Sequence, residues 1–164
     1  KPRNSGGGFV AEHNAADGQD LLKQCSKNDK NQDQLPNGNL LVDTRSHYIL
    51  VVDAEGNTSP AVIAMSSTQM KKSRRWMTVM QNIKLPRVDG SKFTPPMFSH
   101  IYRVTTVPES NDQGSWYGWK ITNEAQVEDK NLYDAAKSFR EAIMSGEAKE
   151  AQPVDDSAAV EEEF

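Results

Sequence analysis

The chain has 164 residues, of which 36% are hydrophobic, with a net charge of −4 and a mean hydropathy of −0.73. This length predicts one domain with tails, and the low hydrophobic content predicts that part of the chain is disordered. No apolar run of about eighteen residues exists, which excludes a membrane-spanning helix.

The charge is distributed unevenly along the chain. Residues 127–164 hold eleven acids and four bases, a net of −7, whereas residues 1–126 hold 12 acids and 15 bases, a net of +3. A basic body favours polyanionic partners, and an acidic end repels or competes with them. The polar, Gly-rich start (KPRNSGGGF) does not have the pattern of a signal peptide, and the single Cys25 suits a reducing cytoplasm.

The first quarter of the chain contains few signals of regular structure. Residues 1–8 are predicted to form a flexible leader, and residues 9–126 to form the main domain. Within it, a short helix is predicted after Gly18, over residues 19–27, and a short strand at residues 40–42. Residues 28–39 are polar and contain Pro and Gly, which predicts a loop.

The middle of the chain, residues 46–122, predicts two hairpins separated by a basic helix. The β-branched and apolar run at residues 47–52 predicts a strand, and the Gly56 turn leads into its partner. Ser66 to Thr68 offer N-caps for a helix that Pro86 ends. The predicted elements are strands at residues 47–52 and 59–65, a helix at about 66–85, a strand at 100–107, a turn at 108–115 and a strand at 116–122.

A second helix is predicted near the end of the chain. Apolar residues between Leu132 and Ile143 follow the spacing of one helical face, and Gly146 provides a C-terminal cap. Residues 127–146 are therefore predicted to form a C-terminal helix. The acidic, Ala-rich residues 147–164 predict a disordered tail.

The order of these elements predicts an α+β, mostly β fold. Two hairpins with a helix between strands 3 and 4 match an OB-fold-like five-stranded barrel, in which that helix closes one end. Other α+β domains share this order, so the order alone leaves them open.

Basic and aromatic residues are interleaved in the middle of the chain. Between Met70 and Arg103 there are eight bases and one acid, Asp89. Single-stranded nucleic acids bind cationic grooves whose aromatic side chains stack the bases. The predicted nucleic-acid contacts are Lys71, Lys72, Arg74, Arg75, Lys92, Arg103, Trp116 and Lys120.

Several of these residues also have a purely structural explanation. The basic cluster from Lys71 to Arg75 also fits an ordinary solvated helix face. Trp76, on the apolar face of the helix, is predicted to lie in the core. Strand alternation predicts Tyr117 and Trp119 inward and Trp116 outward, and it favours an outward Arg103 opposite an inward Tyr102.

The last residues combine acidic charge with a terminal aromatic. Glu161, Glu162, Glu163 and Phe164 are predicted to bind a partner protein, because an aromatic anchor beside acids fits an apolar pocket rimmed by bases. The same acids could occupy the basic groove when nucleic acid is absent. An ordinary solubilising tail is the alternative.

A basic OB-like body followed by an acidic tail that ends in Phe resembles the single-stranded-DNA-binding proteins of bacteria and bacteriophages, the phage members more closely. The resemblance covers the architecture of residues 40–122 and the tail tip. It implies sequence-independent coating of single-stranded DNA in replication or recombination, recruitment of replication or recombination proteins through the tail, and action in the bacterial host cytoplasm. The helix at residues 129–144 and the long basic helix depart from that pattern.

Other functions find less support in the sequence. No Gly-rich phosphate loop, His/Cys metal spacing or nucleophile elbow is present, so no enzyme activity, catalytic residue, cofactor or metal is predicted. A Mg²⁺ site at Asp43, Asp53 and Glu55 and a membrane-surface role for the basic helix are disfavoured. A protein-interaction module without nucleic-acid binding is the main alternative. The oligomeric state is left open.

Overall fold

The computed structural model describes Lys1, residues 7–112 and residues 114–146. The described residues form a mixed α+β fold with three α-helices and four two-stranded antiparallel sheets. They divide into two compact units, Lys1 with residues 7–43 and residues 44–146 without position 113. The predicted tail, residues 147–164, lies outside the described residues.

The first unit contains one short helix, α1 (Ala15–Leu22). It begins after Asn14, whose side-chain oxygen accepts hydrogen bonds from the N–H groups of Ala16, at 2.9 Å, and Asp17, at 3.0 Å. This cap satisfies N–H groups that the first helical turn leaves unpaired. The helix therefore starts and ends earlier than predicted.

The polar region after α1 is a small ribbon rather than a plain loop. Strands β1 (Ser26–Lys27) and β2 (Asp33–Gln34) pair antiparallel, and an ion pair of 2.8 Å joins Lys27 to Asp33. The predicted strand at residues 40–42 is wrong. Leu40 forms only an isolated bridge to Gln34.

The second unit begins with the first predicted hairpin, which is confirmed. Strand β3 (Thr44–Val52) pairs antiparallel with β4 (Thr58–Ser66). In the turn, the Asp53 carboxylate accepts hydrogen bonds from the N–H groups of Glu55, at 3.0 Å, and Asn57, at 2.8 Å. Gly56 takes the positive φ of 85° that this turn requires.

The predicted basic helix is also confirmed, as α2 (Met70–Asn82) after one 3₁₀ turn at Ser67–Gln69. Its buried residues are Met70, Ser73, Trp76 and Met80. Their spacing of three or four residues places them on one helical face. The helix ends well before Pro86.

A small ribbon follows α2 and leads into the second hairpin. Strand β5 (Leu85–Pro86) pairs with β6 (Lys92–Phe93), and β7 (His100–Asn111) pairs with β8 (Gly114–Gln126). The predicted turn at residues 108–115 is wrong, because Pro108 pairs opposite Tyr117 within the ladder. A two-stranded sheet has only edge strands, and an edge strand tolerates proline because its missing N–H can face away from the partner.

The predicted C-terminal helix is confirmed as α3 (Lys130–Ser145). The Asp129 side chain accepts hydrogen bonds from the N–H groups of Asn131, at 2.6 Å, and Leu132, at 3.0 Å, which caps the helix start. Gly146, with φ of 77°, caps its end in the left-handed conformation.

The core of the second unit collects side chains from both hairpins and α2. Ile63, Met65, Trp76 and Met80 form its buried centre, with Met65 fully buried. The partly buried residues around that centre are Ile49, Met77, Tyr102, Val104, Trp119 and Ile121. Trp76 lies in the core as predicted, with Tyr102 packed edge-on at 5.6 Å.

The predicted five-stranded OB-like barrel is not confirmed. Among the described residues the two long hairpins share no strand-to-strand hydrogen bonds, and no closed barrel forms. Both hairpins instead pack side chains into one cluster with the buried face of α2. Side-chain packing thus joins the hairpins here, where a barrel would join them through a backbone ladder.

Candidate nucleic-acid interface

The outward side of α2 is cationic. Lys71, Arg74 and Arg75 are exposed, whereas Ser73 and Trp76 beside them in sequence are buried. The helical period of 3.6 residues separates the two sets, because residues three or four apart share a face. We call Lys71, Arg74 and Arg75 the α2 basic face.

A second group of cations lies on the β5–β6 ribbon. Lys84 donates a hydrogen bond to the Thr94 hydroxyl, and the Arg87 guanidinium lies 5.1 Å from the centre of the Phe93 ring, a cation–π contact. Lys92 is exposed. The one nearby acid, Asp89, has a lowered pKa because its carboxylate accepts hydrogen bonds from the Ser91 side chain and backbone, which close the turn.

Six of the eight bases between Met70 and Arg103 form no ion pair with any described residue. Their charge is therefore available to an external anion. The six are Lys71, Arg74, Arg75, Lys84, Arg87 and Lys92.

Lys72, the seventh base, is held by an acid of the second hairpin. Its ammonium pairs with the partly buried Glu109 carboxylate, which also accepts a hydrogen bond of 3.0 Å from the Trp116 indole. The Lys72 contact, followed by that of Trp116, lowers the pKa of Glu109 and keeps it ionised. The charge of Lys72 is therefore compensated within the fold, unlike that of the six unpaired bases.

The backbone at Gly118 makes room for this cluster. A Cβ atom at that position would collide with the Glu109 carboxylate and the Lys72 ammonium. Any larger residue at position 118 would force the Glu109 carboxylate or the Lys72 ammonium to move.

Arg103, the eighth base, also has an acid partner. It lies on the exposed side of β7, as predicted, and makes two hydrogen bonds to Glu124 on β8, at 2.9 Å and 2.7 Å. These bonds raise the pKa of Arg103 and lower that of Glu124. Lys120 is exposed, pairs opposite Thr105, and shares the Arg103 side of the hairpin without an ion pair to a described residue.

The aromatic residues of β8 are placed differently from the prediction. Tyr117 is 74% exposed, so its predicted core position is wrong, whereas Trp119 packs against the core as predicted. The apolar cluster includes Trp119 and Ile121 but does not extend back along the strand to Tyr117. Trp116, the predicted stacking residue, is only partly exposed and bonded to Glu109. Tyr117 thus has the more open ring.

The structure places the predicted nucleic-acid contacts in separate groups. The α2 basic face forms one group, Lys92 belongs to the ribbon, and Arg103, Trp116 and Lys120 share one side of the second hairpin. Sequence reasoning missed Glu109 because it placed this residue in a turn. The correct hairpin register pairs Glu109 with Trp116, and that register would have predicted their contact.

The described part of the chain shows no metal-binding cluster: no three His, Cys, Asp or Glu side chains lie close enough to hold an ion. Asp53, one of the disfavoured magnesium ligands, uses its oxygens to cap its own turn. Nor is any helix of the described residues long and apolar enough to cross a membrane.

Comparison with known protein families finds a match to a phage family. The family described as Pam3 phage gp34-like protein matches residues 1–149. The chain belongs to this phage protein family. No curated protein and no solved structure matches the chain.

The family match ends before Glu161, Glu162, Glu163 and Phe164, and these four residues also lie outside the described residues. Their role in binding a partner stays a prediction.

Proposed function

We propose that this phage protein binds single-stranded DNA without sequence preference during phage DNA replication or recombination. The main support is the set of six cations on α2 and the β5–β6 ribbon that no described acid neutralises. Phosphate binding to such cations releases condensed counterions and depends little on base identity. The proposal does not require the OB-like barrel, since an exposed cationic surface with stacking side chains is sufficient.

The mechanism involves binding and no covalent chemistry. Phosphates lie along Lys71, Arg74 and Arg75, and bases stack on open aromatic rings, of which Tyr117 is the most exposed among the described residues. Lys72 and Arg103 act mainly in holding Glu109 and Glu124. Recruitment of replication proteins by the acidic segment that ends in Phe164 completes the proposal, which places the protein in the cytoplasm of the infected bacterium.

The deciding experiment measures the fluorescence anisotropy of labelled oligo-dT with the full chain at about 50 mM and about 200 mM salt, with duplex DNA as the control. We expect binding to the single strand that weakens steeply between the two concentrations. Absence of binding at both salts would overturn the proposal and favour the protein-interaction module.

The same titration separates the two aromatic candidates. We expect Tyr117→Ala to weaken oligo-dT binding by roughly 5- to 150-fold, which corresponds to the 1–3 kcal/mol of one stacked base. Trp116→Phe, which keeps a ring but loses the bond to Glu109, should change binding much less. The reverse order would return the stacking role to Trp116.

A further inference from the structure

Helix α3 and the segment after the β5–β6 ribbon line an open cleft of about 550 Å³. No sequence feature pointed to it, because its two walls lie about 40 residues apart in the chain. We call it the Pro–α3 cleft. Its lining residues are Thr94, Pro95, Pro96, Met97, Phe98, Tyr133, Lys137, Arg140 and Glu141.

One wall of the cleft is apolar and rich in flat rings. Pro95 is buried, and Phe98 and Tyr133 are partly buried with their rings packed edge-on at 5.2 Å. This contact fixes both rings without a contribution from any ligand. A flat aromatic group would find preformed ring and proline surfaces here.

The other wall is cationic. Lys137 and Arg140 form it. They lie on the same face of α3 as Tyr133, because successive residues of this set are four and three positions apart. Lys137 and Arg140 are exposed and pair with no described acid. Glu141 is the one acid in the lining, which leaves the cleft with a net positive charge.

The cleft adjoins the uncompensated cations of the β5–β6 ribbon. Thr94, in the cleft wall, accepts the hydrogen bond from Lys84, and its neighbours Lys92 and Phe93 form β6. Thr94 therefore links these cations to the cleft, whose one acidic lining residue is Glu141.

We propose that the Pro–α3 cleft binds one nucleotide of a single strand, with the base against Phe98, Tyr133 and the exposed Pro96 and the adjacent phosphate on Lys137 and Arg140. This inference rests on the proposed function and extends the interface onto α3. Anionic charge next to a flat ring is the ligand chemistry that the two walls match.

The test compares the full-length double variant Lys137→Gln and Arg140→Gln with a matched control, Lys130→Gln and Lys23→Gln, which removes two charges outside the cleft. Anisotropy of labelled oligo-dT is followed over a range of salt. A second measurement cross-links oligo-dT containing 5-iododeoxyuridine to the wild-type protein and maps the site by mass spectrometry. The variant Tyr133→Leu removes the flat ring but keeps an apolar side chain.

We expect the cleft variant to bind roughly fivefold more weakly, with a salt slope smaller by about 0.7, because one phosphate contact on a single strand is lost. The charge control should bind as the wild type, Tyr133→Leu should weaken binding, and the cross-link should map to residues 94–98 or 133–141.

Three results would overturn the inference. If the wild type binds oligo-dT and the cleft variants bind equally well, the cleft is not part of the interface, although the proposed function stands. If the wild type binds no oligo-dT, both proposals fail. If a peptide of residues 153–164 reaches the cleft in a cross-linking experiment and oligo-dT does not, the acidic segment is the occupant.

Discussion

The two faces of helix α2 depend on the rest of the molecule to different degrees. The inner face, with Ser73 and Trp76, is buried against both hairpins, and Ser73 lies 2.8 Å from the His47 ring nitrogen. The outer face, with Lys71, Arg74 and Arg75, makes no ion pair with a described residue. One helix thus combines a structural surface that packs against the fold with a charged surface that no described acid neutralises.

Lys72 shows how narrow the boundary between these faces is. It follows Lys71 directly, yet it is partly buried and paired with Glu109, 37 residues away. Neighbouring lysines in one basic cluster therefore have different surroundings. Net charge along the sequence does not distinguish them, whereas the position on the helix and the second hairpin do.

The largest effect should follow a change on the inner face. Trp76→Ala should lower the free energy of unfolding by about 3–5 kcal/mol, because it leaves a cavity where His47, at 4.8 Å, and Tyr102 now pack. Urea unfolding followed by circular dichroism measures the change. Val79→Ala on the same helix, at 39% exposed, is the control and should lose roughly 1 kcal/mol or less. Equal losses at the two positions would mean that the inner face does not anchor the core.

The outer face should show the opposite behaviour. Replacing Lys71, Arg74 and Arg75 together by Gln should leave the free energy of unfolding within about 0.5 kcal/mol, since these residues are exposed. Their loss should reduce the salt slope of oligo-dT binding by about 2 and weaken binding at low salt by roughly one to two orders of magnitude. A control that replaces Lys23, Lys27 and Lys30 by Gln removes the same charge elsewhere. An equal loss of binding in that control would show that only net charge matters.

The smallest effect is the pH dependence of stability, which arises at His47, a residue that contacts the inner face of α2. Burial, and then Arg45, lowers the pKa of His47 below 6.5, so the folded chain keeps this ring neutral where the unfolded chain takes up a proton. Stability should be complete above pH 6.5 and should fall as the pH drops from there towards the folded pKa. Burial lowers the pKa of His100 in the same direction.

His47→Gln isolates the first of these contributions, because glutamine can still bond to Ser73 but does not titrate. Urea unfolding at pH 7.5 and pH 5.5 should show a smaller loss of stability in the variant than in the wild type. An identical loss in both proteins would remove His47 as a source of the pH dependence.

Local sequence signals predicted much of the fold. The β3–β4 hairpin, α2 and α3 follow from apolar periodicity together with the turn at Gly56 and the cap at Gly146, all of which act within a few residues. The misplaced second turn shows the limit of such signals. Polar residues and Pro108 indicate a loop, but a hairpin with two edge strands accommodates them in its ladder.

The candidate site was predicted only in part for a related reason. Exposure of Lys71, Arg74 and Arg75 follows from their helical positions relative to Trp76. The exposure of Tyr117 does not, because strand alternation gives the side of the sheet and not the point where the core ends.

The sequence by itself determined the turn at Gly56, the apolar side of α2 and α3, and where positive and negative charge accumulate, because these properties depend on residues close together. Only the tertiary structure decided that the hairpins meet through side chains and that Glu109 bonds to Lys72 and Trp116. The same holds for the position of α3 beside residues 94–98. Each of these contacts joins residues distant in sequence or depends on strand register, so packing and backbone pairing across the fold select them.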